Sequence, residues 1–211
     1  MFTGLIEALG TVRSFHQKGA YYVLKIDAEM SGELVIGQSV SVSGACLTVT
    51  HNDSRSFEVE MMRETWSRTW FGRGMRSGTR VNLERAMKLT DRLDGHLVLG
   101  HVDGVAKLKE IVGTETKEAV FVPENAELLR GIVEKGSVAI DGVSLTVIDA
   151  GNESFSVGLI PATLGATTLG SLKAGSMINL ETDILGKYVA RLTGFVPEKQ
   201  RGDYIASLLS L

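Results

Sequence analysis

The chain of 211 residues has one cysteine and three prolines, and its apolar runs are far too short to span a bilayer. A single cysteine cannot close an internal disulfide, which favours a reducing compartment. The N-terminus lacks the basic and apolar segments of a secretory signal. A net charge of −3 provides no basic surface for nucleic acid or an anionic membrane. We therefore predict a cytoplasmic protein that binds neither nucleic acid nor membranes.

Motifs for the common cofactors and metals are also missing. The sequence contains no P-loop, no dinucleotide fingerprint and no Gly-x-Ser-x-Gly elbow. His96 and His101 lie close together in sequence, but no cluster of cysteines or carboxylates supplies further ligands at the usual spacing. We therefore predict no metal and no cofactor. Cys46 lies outside any Cys-x-x-Cys motif, so it is either a small buried residue or a catalytic thiol.

The sequence contains an internal repeat. The stretch GACLTVT at 44–50 corresponds to GVSLTVI at 142–148, so the only cysteine, Cys46, corresponds to Ser144. Further ordered matches at nearly the same offset join Gly4 to Gly100, Ser56-Phe57 to Ser154-Phe155, and Asn82-Leu83-Glu84 to Asn179-Leu180-Glu181. A repeat this long is a whole domain rather than a solenoid unit. We predict domains at 1–95 and 96–183, followed by a C-terminal segment at 184–211.

Each copy has the pattern of short β-strands. Apolar residues alternate with polar or small ones, as at Val40 and Val42 and at Leu47 and Val49, and the 24 glycines suggest many turns. Short strands at this spacing predict a closed barrel or a sandwich in each copy. Short helical patches are predicted at Glu29 to Ile36 and at Glu124 to Val133. A helix is also predicted from Ile184 to Thr193, where apolar residues share one face.

Duplication of one pocket strand suggests the kind of ligand. Two similar domains can pair about a pseudo-twofold axis, and their pockets then face one another. Such a pair suits two copies of one molecule and a reaction between them. Positions that differ between the copies, above all Cys46 and Ser144, would give the two molecules different roles.

Several motifs in order resemble the riboflavin synthase family of the alpha-chain type, which has two lumazine-binding repeats. They are Met1-Phe2-Thr3-Gly4 with Ile6, Gly44-x-Cys46-Leu47-Thr48-Val49, Gly100-His101-Val102, Asp141-Gly142-x-Ser144-Leu145-Thr146-Val147 and Thr167-Thr168-Leu169-Gly170. The resemblance covers the chain up to about Pro197. It implies an all-β fold of two tandem six-stranded antiparallel Greek-key barrels related by pseudo-twofold symmetry, plus a C-terminal α-helix that assembles a homotrimer.

The reaction implied is a transferase reaction, the dismutation of two 6,7-dimethyl-8-ribityllumazine molecules. One molecule donates four carbons to the other, giving riboflavin and 5-amino-6-ribitylamino-uracil, and no external cofactor takes part. The active site is expected between the N-terminal barrel of one subunit and the C-terminal barrel of its neighbour. Lumazine synthase is a candidate partner.

The resemblance also implies site residues. The N-terminal pocket is expected to use Gly4, Leu5, Ile6, Cys46, Leu47, Thr48, Glu60, Met61, Met62, Arg63, Glu64 and Thr65, with Phe2 near a heterocycle. The C-terminal pocket is expected to use Gly100, His101, Val102, Ser144, Leu145, Thr146, Ile160, Pro161, Ala162, Thr163, Leu164 and Gly165, with Lys135 reaching in across the interface. The polar groups expected near the chemistry are Ser39, Cys46, His101, Asp141, Ser144, Thr146 and Asp183.

The chemical roles remain alternatives at this point. His101 is a candidate for moving a proton, since its ordinary pKa lies near neutral pH. The nucleophile that adds to the acceptor ring is Cys46, Ser39, water or a ribityl hydroxyl. The family often has glutamate where Ala162 follows Pro161 here.

Two other functions share this kind of barrel. One is a non-catalytic lumazine- or flavin-binding antenna protein, whose second pocket motif is expected to be degraded, whereas Asp141, Ser144, Leu145 and Thr146 are all present here. The other is the flavin barrel of a reductase, which would carry an Arg-x-Tyr-Ser motif and a nucleotide-binding domain.

Overall fold

The computed structural model of the chain describes residues 1–113 and 117–194, which form two closed antiparallel six-stranded barrels. The strands of the first barrel are β1 (Ala8–Lys18), β2 (Tyr21–Asp27), β3 (Ser39–Val42), β4 (Ala45–Asn52), β5 (Ser56–Met62) and β6 (Arg80–Arg85). The strands of the second are β7 (Gly104–Val112), β8 (Lys117–Pro123), β9 (Ser137–Ile140), β10 (Val143–Ala150), β11 (Phe155–Leu159) and β12 (Met177–Thr182). The α-helices are α1 (Arg63–Arg68), α2 (Phe71–Gly74), α3 (Pro161–Ala166) and α4 (Ile184–Leu192).

Strand order confirms the predicted all-β fold. In the first barrel the strands are joined in the order β1-β2-β5-β4-β3-β6, and the chain returns to the first strand through pairing of β1 with β6. The second barrel has the equivalent order, with β12 pairing both β7 and β9. Closure leaves no long strand edge unpaired. None of the helices within the described ranges is long and apolar enough to cross a membrane.

Alternation along the strands explains the two cores. Val40, Val42, Leu47 and Val49 point into the first barrel and are almost completely buried, and the equivalent residues of β9 and β10 fill the second. The predicted helical patches are shorter than expected and form 3₁₀ turns at Glu29–Glu33 and Ala126–Gly131. The predicted C-terminal helix is present as α4, whereas the predicted segment from 195 to 211 lies outside the described residues.

A pseudo-twofold axis passes between the barrels, where the turns before β4 and β10 meet. The backbones of Gly44 and Gly142 approach so closely that a Cβ atom on Gly44 would lie 2.8 Å from the Gly142 nitrogen. Asn82 donates a side-chain hydrogen bond of 2.9 Å to the Asp141 carbonyl, and Asn179 donates the equivalent bond of 2.8 Å to the Ser43 carbonyl. These reciprocal bonds confirm the predicted pseudo-twofold relation of the two repeats.

Asp141 breaks that symmetry, because its counterpart across the axis is Ser43. Its carboxylate is buried and accepts hydrogen bonds from the Trp70 ring nitrogen at 2.9 Å and from the Asn179 backbone at 2.8 Å. Burial, only partly opposed by these two bonds, raises the pKa of Asp141 to about 7. The side chain therefore joins the two barrels at their junction and is not placed against the cavities described below.

Replacing Asp141 with asparagine should stabilise the protein at high pH. The folded pKa is raised above the ordinary value of 3.8, so the carboxyl's contribution to stability is complete below about pH 4 and is lost as the pH rises to about 7. Asparagine keeps one acceptor oxygen for Trp70 and tolerates the positive φ of 45°. Above pH 7 we expect a gain on the order of 1–4 kcal/mol in the free energy of unfolding. Denaturant titrations at pH 4 and pH 8 test this, and a variant weaker than the parent at pH 8 would contradict it.

Candidate active site

Two short arms cross between the barrels, one at residues 2–5 and the other at residues 98–101. Phe2 and Val98 pair with each other as an isolated antiparallel bridge. The Gly4 carbonyl accepts a 2.9 Å hydrogen bond from the Ser144 backbone, and the Gly100 carbonyl accepts an equivalent 2.9 Å bond from the Cys46 backbone. Each arm therefore lies against the repeated pocket strand of the other copy.

This crossing corrects the predicted grouping of the pockets. The family resemblance implies that Gly4 to Ile6 belong to the N-terminal pocket and Gly100 to Val102 to the C-terminal pocket. Instead, Ile6 packs on the second core and Val102 on the first. The repeat offset identifies equivalent residues but does not show which barrel each arm contacts.

The N-terminal cavity has a volume of about 310 Å³ and lies where the second arm meets β4 and α1. Its lining includes Cys46 from the pocket strand, Glu64 and Thr65 from α1, and His101 from the crossed arm. Ionisable groups are concentrated here, since Arg68 and Asp103 also line the cavity. A thiol, an imidazole and several hydrogen-bonding groups thus surround one small space.

The C-terminal cavity is larger, at about 550 Å³, and follows β10. Ser144, Leu145 and Thr146 of the pocket strand line it together with Ile160 and Thr163. The remaining lining residues are Val112, Gly113, Lys117, Glu118, Ile148, Gly158 and Leu159. The two pocket strands are presented alike, because Thr48 and Thr146 are both exposed while Cys46 and Ser144 are both half-buried.

Ser144 has a buried histidine behind it. The Nδ1 atom of His96 lies 2.7 Å from the Ser144 Oγ atom, and the imidazole is 8% exposed. Burial lowers the pKa of His96, although the negative charge of Asp183 opposes this shift. The imidazole is therefore neutral near pH 7 and can accept a proton through the serine hydroxyl. Within the described residues the Cys46 thiol has no equivalent hydrogen bond to a histidine, although His101 lines the same cavity.

The arms add a second asymmetry. At the offset of Gly4 and Gly100, Leu5 corresponds to His101, and both side chains are exposed. The N-terminal cavity therefore has the thiol of Cys46 and the imidazole of His101, whereas the C-terminal pocket strand has the Ser144–His96 pair. Two similar folds thus present different chemistry.

Several predicted site residues do not line these two cavities. The side chain of Met61 is buried in the first core, and Phe2 is fully buried at the barrel junction beside Val98, Ala139 and Cys46. Ser39 pairs with Thr48 across β3 and β4, and Asp183 caps the N-terminus of α4 through the Leu185 backbone. The half-buried Glu60 and the exposed Lys135 form surface ion pairs with Lys18 and Glu134.

The remaining predicted residues have clear places. Leu47 lies in the first core, Arg63 begins α1, and Met62 is exposed beside it. Pro161, Ala162, Leu164 and Gly165 lie on α3, beside the C-terminal cavity. From sequence, His96 is a candidate metal ligand only, and the described residues contain no group of side chains arranged to hold a metal. Its position five residues before His101, in the segment that leads into the second arm, was the available signal for a role at the pocket.

Comparison with known proteins gives a consistent result. The lumazine binding domain model matches residues 3–86 and again 99–183. The chain is 44% identical over 190 residues to riboflavin synthase of Actinobacillus pleuropneumoniae, covering 90% of this chain and 88% of the relative. It is 42% identical over 197 residues to riboflavin synthase of Mycobacterium tuberculosis strain H37Rv, covering 91% and 98%.

Solved structures share the fold at lower sequence identity. The crystal structure of LumP complexed with 6,7-dimethyl-8-(1'-D-ribityl) lumazine superposes with a TM-score of 0.75 at 21% identity, covering 86% of this chain and 99% of that chain. The crystal structure of LumP complexed with riboflavin gives 0.76 at 22% identity with the same coverage. At this identity the structural comparison supports the two-barrel fold and nothing finer.

Proposed function

The chain belongs to the riboflavin synthase family and forms riboflavin from dimethylribityllumazine; from that premise we propose that its two cavities hold the two reacting lumazine molecules in different roles. The observation that carries this proposal is the unequal chemistry of two otherwise equivalent pocket strands. Ser144 has His96 behind it, whereas Cys46 faces a cavity that also contains His101. A dismutation between identical molecules needs such a difference, because one molecule donates four carbons and the other accepts them.

The C-terminal cavity suits the step that needs a base. The 7-methyl group of the lumazine is acidic because its anion delocalises into the ring, and Ser144 lies beside the cavity with a neutral imidazole behind it. The proton passes to the serine oxygen as the serine proton passes to His96 Nδ1. General base catalysis of this kind contributes about 10²–10⁴-fold.

The N-terminal cavity suits the step that needs addition to the ring. Cys46 is the side-chain nucleophile that faces it, and water or a ribityl hydroxyl would serve in the same place. His101 lies on the same cavity and can move a proton to or from the adduct. Holding the two rings in contact accelerates the reaction further, because a bimolecular step becomes effectively unimolecular.

The activity is tested by incubating the protein with 6,7-dimethyl-8-ribityllumazine alone. We expect one riboflavin and one 5-amino-6-ribitylamino-uracil for every two lumazines consumed, with no added cofactor. Fluorescence and chromatography follow both products. Tight lumazine binding without riboflavin formation would instead favour the antenna function, and a requirement for added nucleotide would overturn the proposed dismutation.

Helix α4 supports assembly into a homotrimer, in which the N-terminal cavity of one subunit faces the C-terminal cavity of the next. Leu185, Tyr188, Val189 and Leu192 recur at helical spacing and are 59–85% exposed. An amphipathic helix with an uncovered apolar face is typical of a helix that packs on another surface. The same face in each of three subunits would bury these side chains together.

Charging this face should separate the subunits. The double substitution Val189→Glu and Leu192→Glu should change the molar mass in light scattering from that of a trimer to that of a monomer, and should lower the rate at least 10-fold. Burial of the two charges in an apolar interface gives the expected effect. Leu89→Glu is the matched control, because Leu89 is fully exposed in the segment between the barrels. Retention of a trimer by the helix variant would exclude α4 as the assembly surface.

A further inference from the structure

Two buried glutamates hold the crossed arms. Glu84 on β6 accepts hydrogen bonds through Oε1 from the Thr3 backbone at 2.6 Å and from the Thr3 hydroxyl at 2.7 Å, and through Oε2 from the Gly4 backbone at 3.0 Å. Glu181 on β12 accepts bonds from the Leu99 backbone at 2.8 Å and from the Gly100 backbone at 2.9 Å. Both carboxylates are 3% exposed. We call these two arrangements the carboxylate clamps.

The clamps suit a carboxylate, because it presents two acceptor oxygens side by side. The positive φ of Gly4 and of Gly100 turns two successive backbone N–H groups to one side, which forms a small anion-binding nest. In each clamp the two N–H groups donate to different oxygens of one carboxylate. Burial raises the pKa of Glu84 and of Glu181, and the hydrogen bonds from the arms oppose that shift.

The clamps connect each barrel to the opposite pocket. Glu84 belongs to the first barrel, yet it holds the Gly4 arm, whose carbonyl accepts from the Ser144 backbone of the second. Glu181 belongs to the second barrel, yet it holds the Gly100 arm, whose carbonyl accepts from the Cys46 backbone of the first. The pocket strand of each barrel is therefore held by an arm that a carboxylate of the other barrel binds.

We propose that Glu84 and Glu181 are positioning residues with crossed targets, so that Glu84 fixes the geometry of the Ser144 pocket and Glu181 fixes that of the Cys46 pocket. The reactive groups of both pockets depend on these arms. His101 follows Gly100 directly, and a Cβ atom on Gly95, in the segment before the second arm, would lie 3.1 Å from the Ser144 Cβ atom. Neither glutamate lines a cavity of the pocket strands, so each acts through the arm that it holds.

Glutamine substitutions test the crossed pattern. In Glu84→Gln one acceptor oxygen becomes an NH₂ donor that faces a backbone donor, so one arm N–H loses its partner. We expect backbone amide exchange at 143–148 to become at least 10-fold faster while exchange at 45–50 stays unchanged. Glu181→Gln should give the converse. Hydrogen exchange with mass spectrometry on the full chain resolves both segments, and kcat should fall about 10–100-fold in each variant with little change in KM.

Two further variants make the result decisive. Glu7→Gln is the matched control, because Glu7 continues the first arm but bonds to Arg85 at the surface, and it should leave both segments unchanged. Thr3→Val keeps the two backbone bonds to Glu84 and removes both bonds of the Thr3 hydroxyl, the one it donates to Glu84 and the one it accepts from the Leu5 backbone. It should therefore give a smaller effect at 143–148, and it tests the clamp even if Glu84→Gln does not fold.

Equal acceleration at both segments, or at the segment of the mutated barrel alone, would overturn the proposal. The assignment of the pockets to lumazine rests on the proposed function, whereas the exchange pattern does not. A crossed exchange pattern in a protein that forms no riboflavin would therefore refute the proposed function and leave the clamps intact.

Discussion

Replacing Ser144 with alanine should lower kcat about 10²–10³-fold, and replacing His96 with glutamine should lower it by a similar factor. The serine hydroxyl and the Nδ1 atom of His96 are 2.7 Å apart. In the proposed mechanism they act as one base, so loss of either should disable proton removal from the 7-methyl group. The double variant should be no slower than the slower single variant, because residues that act as a unit are not additive. Stopped-flow formation of riboflavin measures all three.

The backbone is expected to stay in place in these variants. The Gly4 carbonyl bonds to the Ser144 backbone rather than to its hydroxyl, so alanine at 144 retains the crossed arm. His51→Gln is the matched control, since His51 is an exposed histidine on β4. Burial lowers the pKa of His96. As the pH is lowered, kcat/KM of the parent should therefore begin to fall only at a pH below the ordinary pKa of histidine. Multiplicative losses in the double variant would mean that the two residues act in separate steps.

Replacing Gly100 with alanine should damage both stability and turnover. A Cβ atom there would lie 2.5 Å from the Cys46 Cβ atom, and the φ of 78° is strained for alanine. The arm must move away from Cys46, which removes its backbone hydrogen bond and shifts His101. We expect a loss of about 2–5 kcal/mol in the free energy of unfolding from strain and overpacking combined. Turnover should fall at least 100-fold.

The same substitution at two other glycines, Gly175 and Gly4, separates the effect of backbone strain from that of overpacking. Gly175 has a φ of 87°, but a Cβ atom on it would meet nothing within 4 Å. Gly175→Ala should therefore show only the conformational strain, with normal turnover. Gly4→Ala should resemble Gly100→Ala, because its Cβ atom would lie 2.5 Å from that of Ser144. If all three variants lose activity equally, the close approach of the arms is not important for the site.

Local patterning was sufficient to predict most of the fold. Alternation at Val40 and Val42 or at Val138 and Ile140 predicts strands because one face of each strand is buried in a barrel, and the repeat predicts that both barrels are alike. The apolar face of α4 is also readable from helical spacing. The short patches at 29 and 124 were predicted too long, because a few apolar residues at helical spacing do not distinguish an α-helix from a 3₁₀ turn.

The candidate site was less predictable because it depends on contacts between distant segments. The pocket strands around Cys46 and Ser144 were found from their repeated sequence. The crossing of the arms was not, since the sequence order of Gly4 and Gly100 is the same whichever barrel they contact. The pairing of His96 with Ser144 was missed for the same reason, because it also joins segments that are distant in sequence. The family resemblance implies that Asp141 lies near the chemistry, and in the structure its carboxylate accepts a hydrogen bond from Trp70 at the barrel junction.

The crossed arms also have a consequence for synthesis on the ribosome. The first barrel has its core strands complete once β6 has emerged, but the Cys46 backbone gains its partner only after Gly100 follows. The Gly4 carbonyl gains its hydrogen-bond partner later still, because Ser144 must be synthesised before the first arm has a strand to contact. Contacts between segments so far apart in sequence form late and slowly. The residues nearest the N-terminus are thus among the last to reach their native positions, and the Cys46 pocket is not complete when its own barrel is.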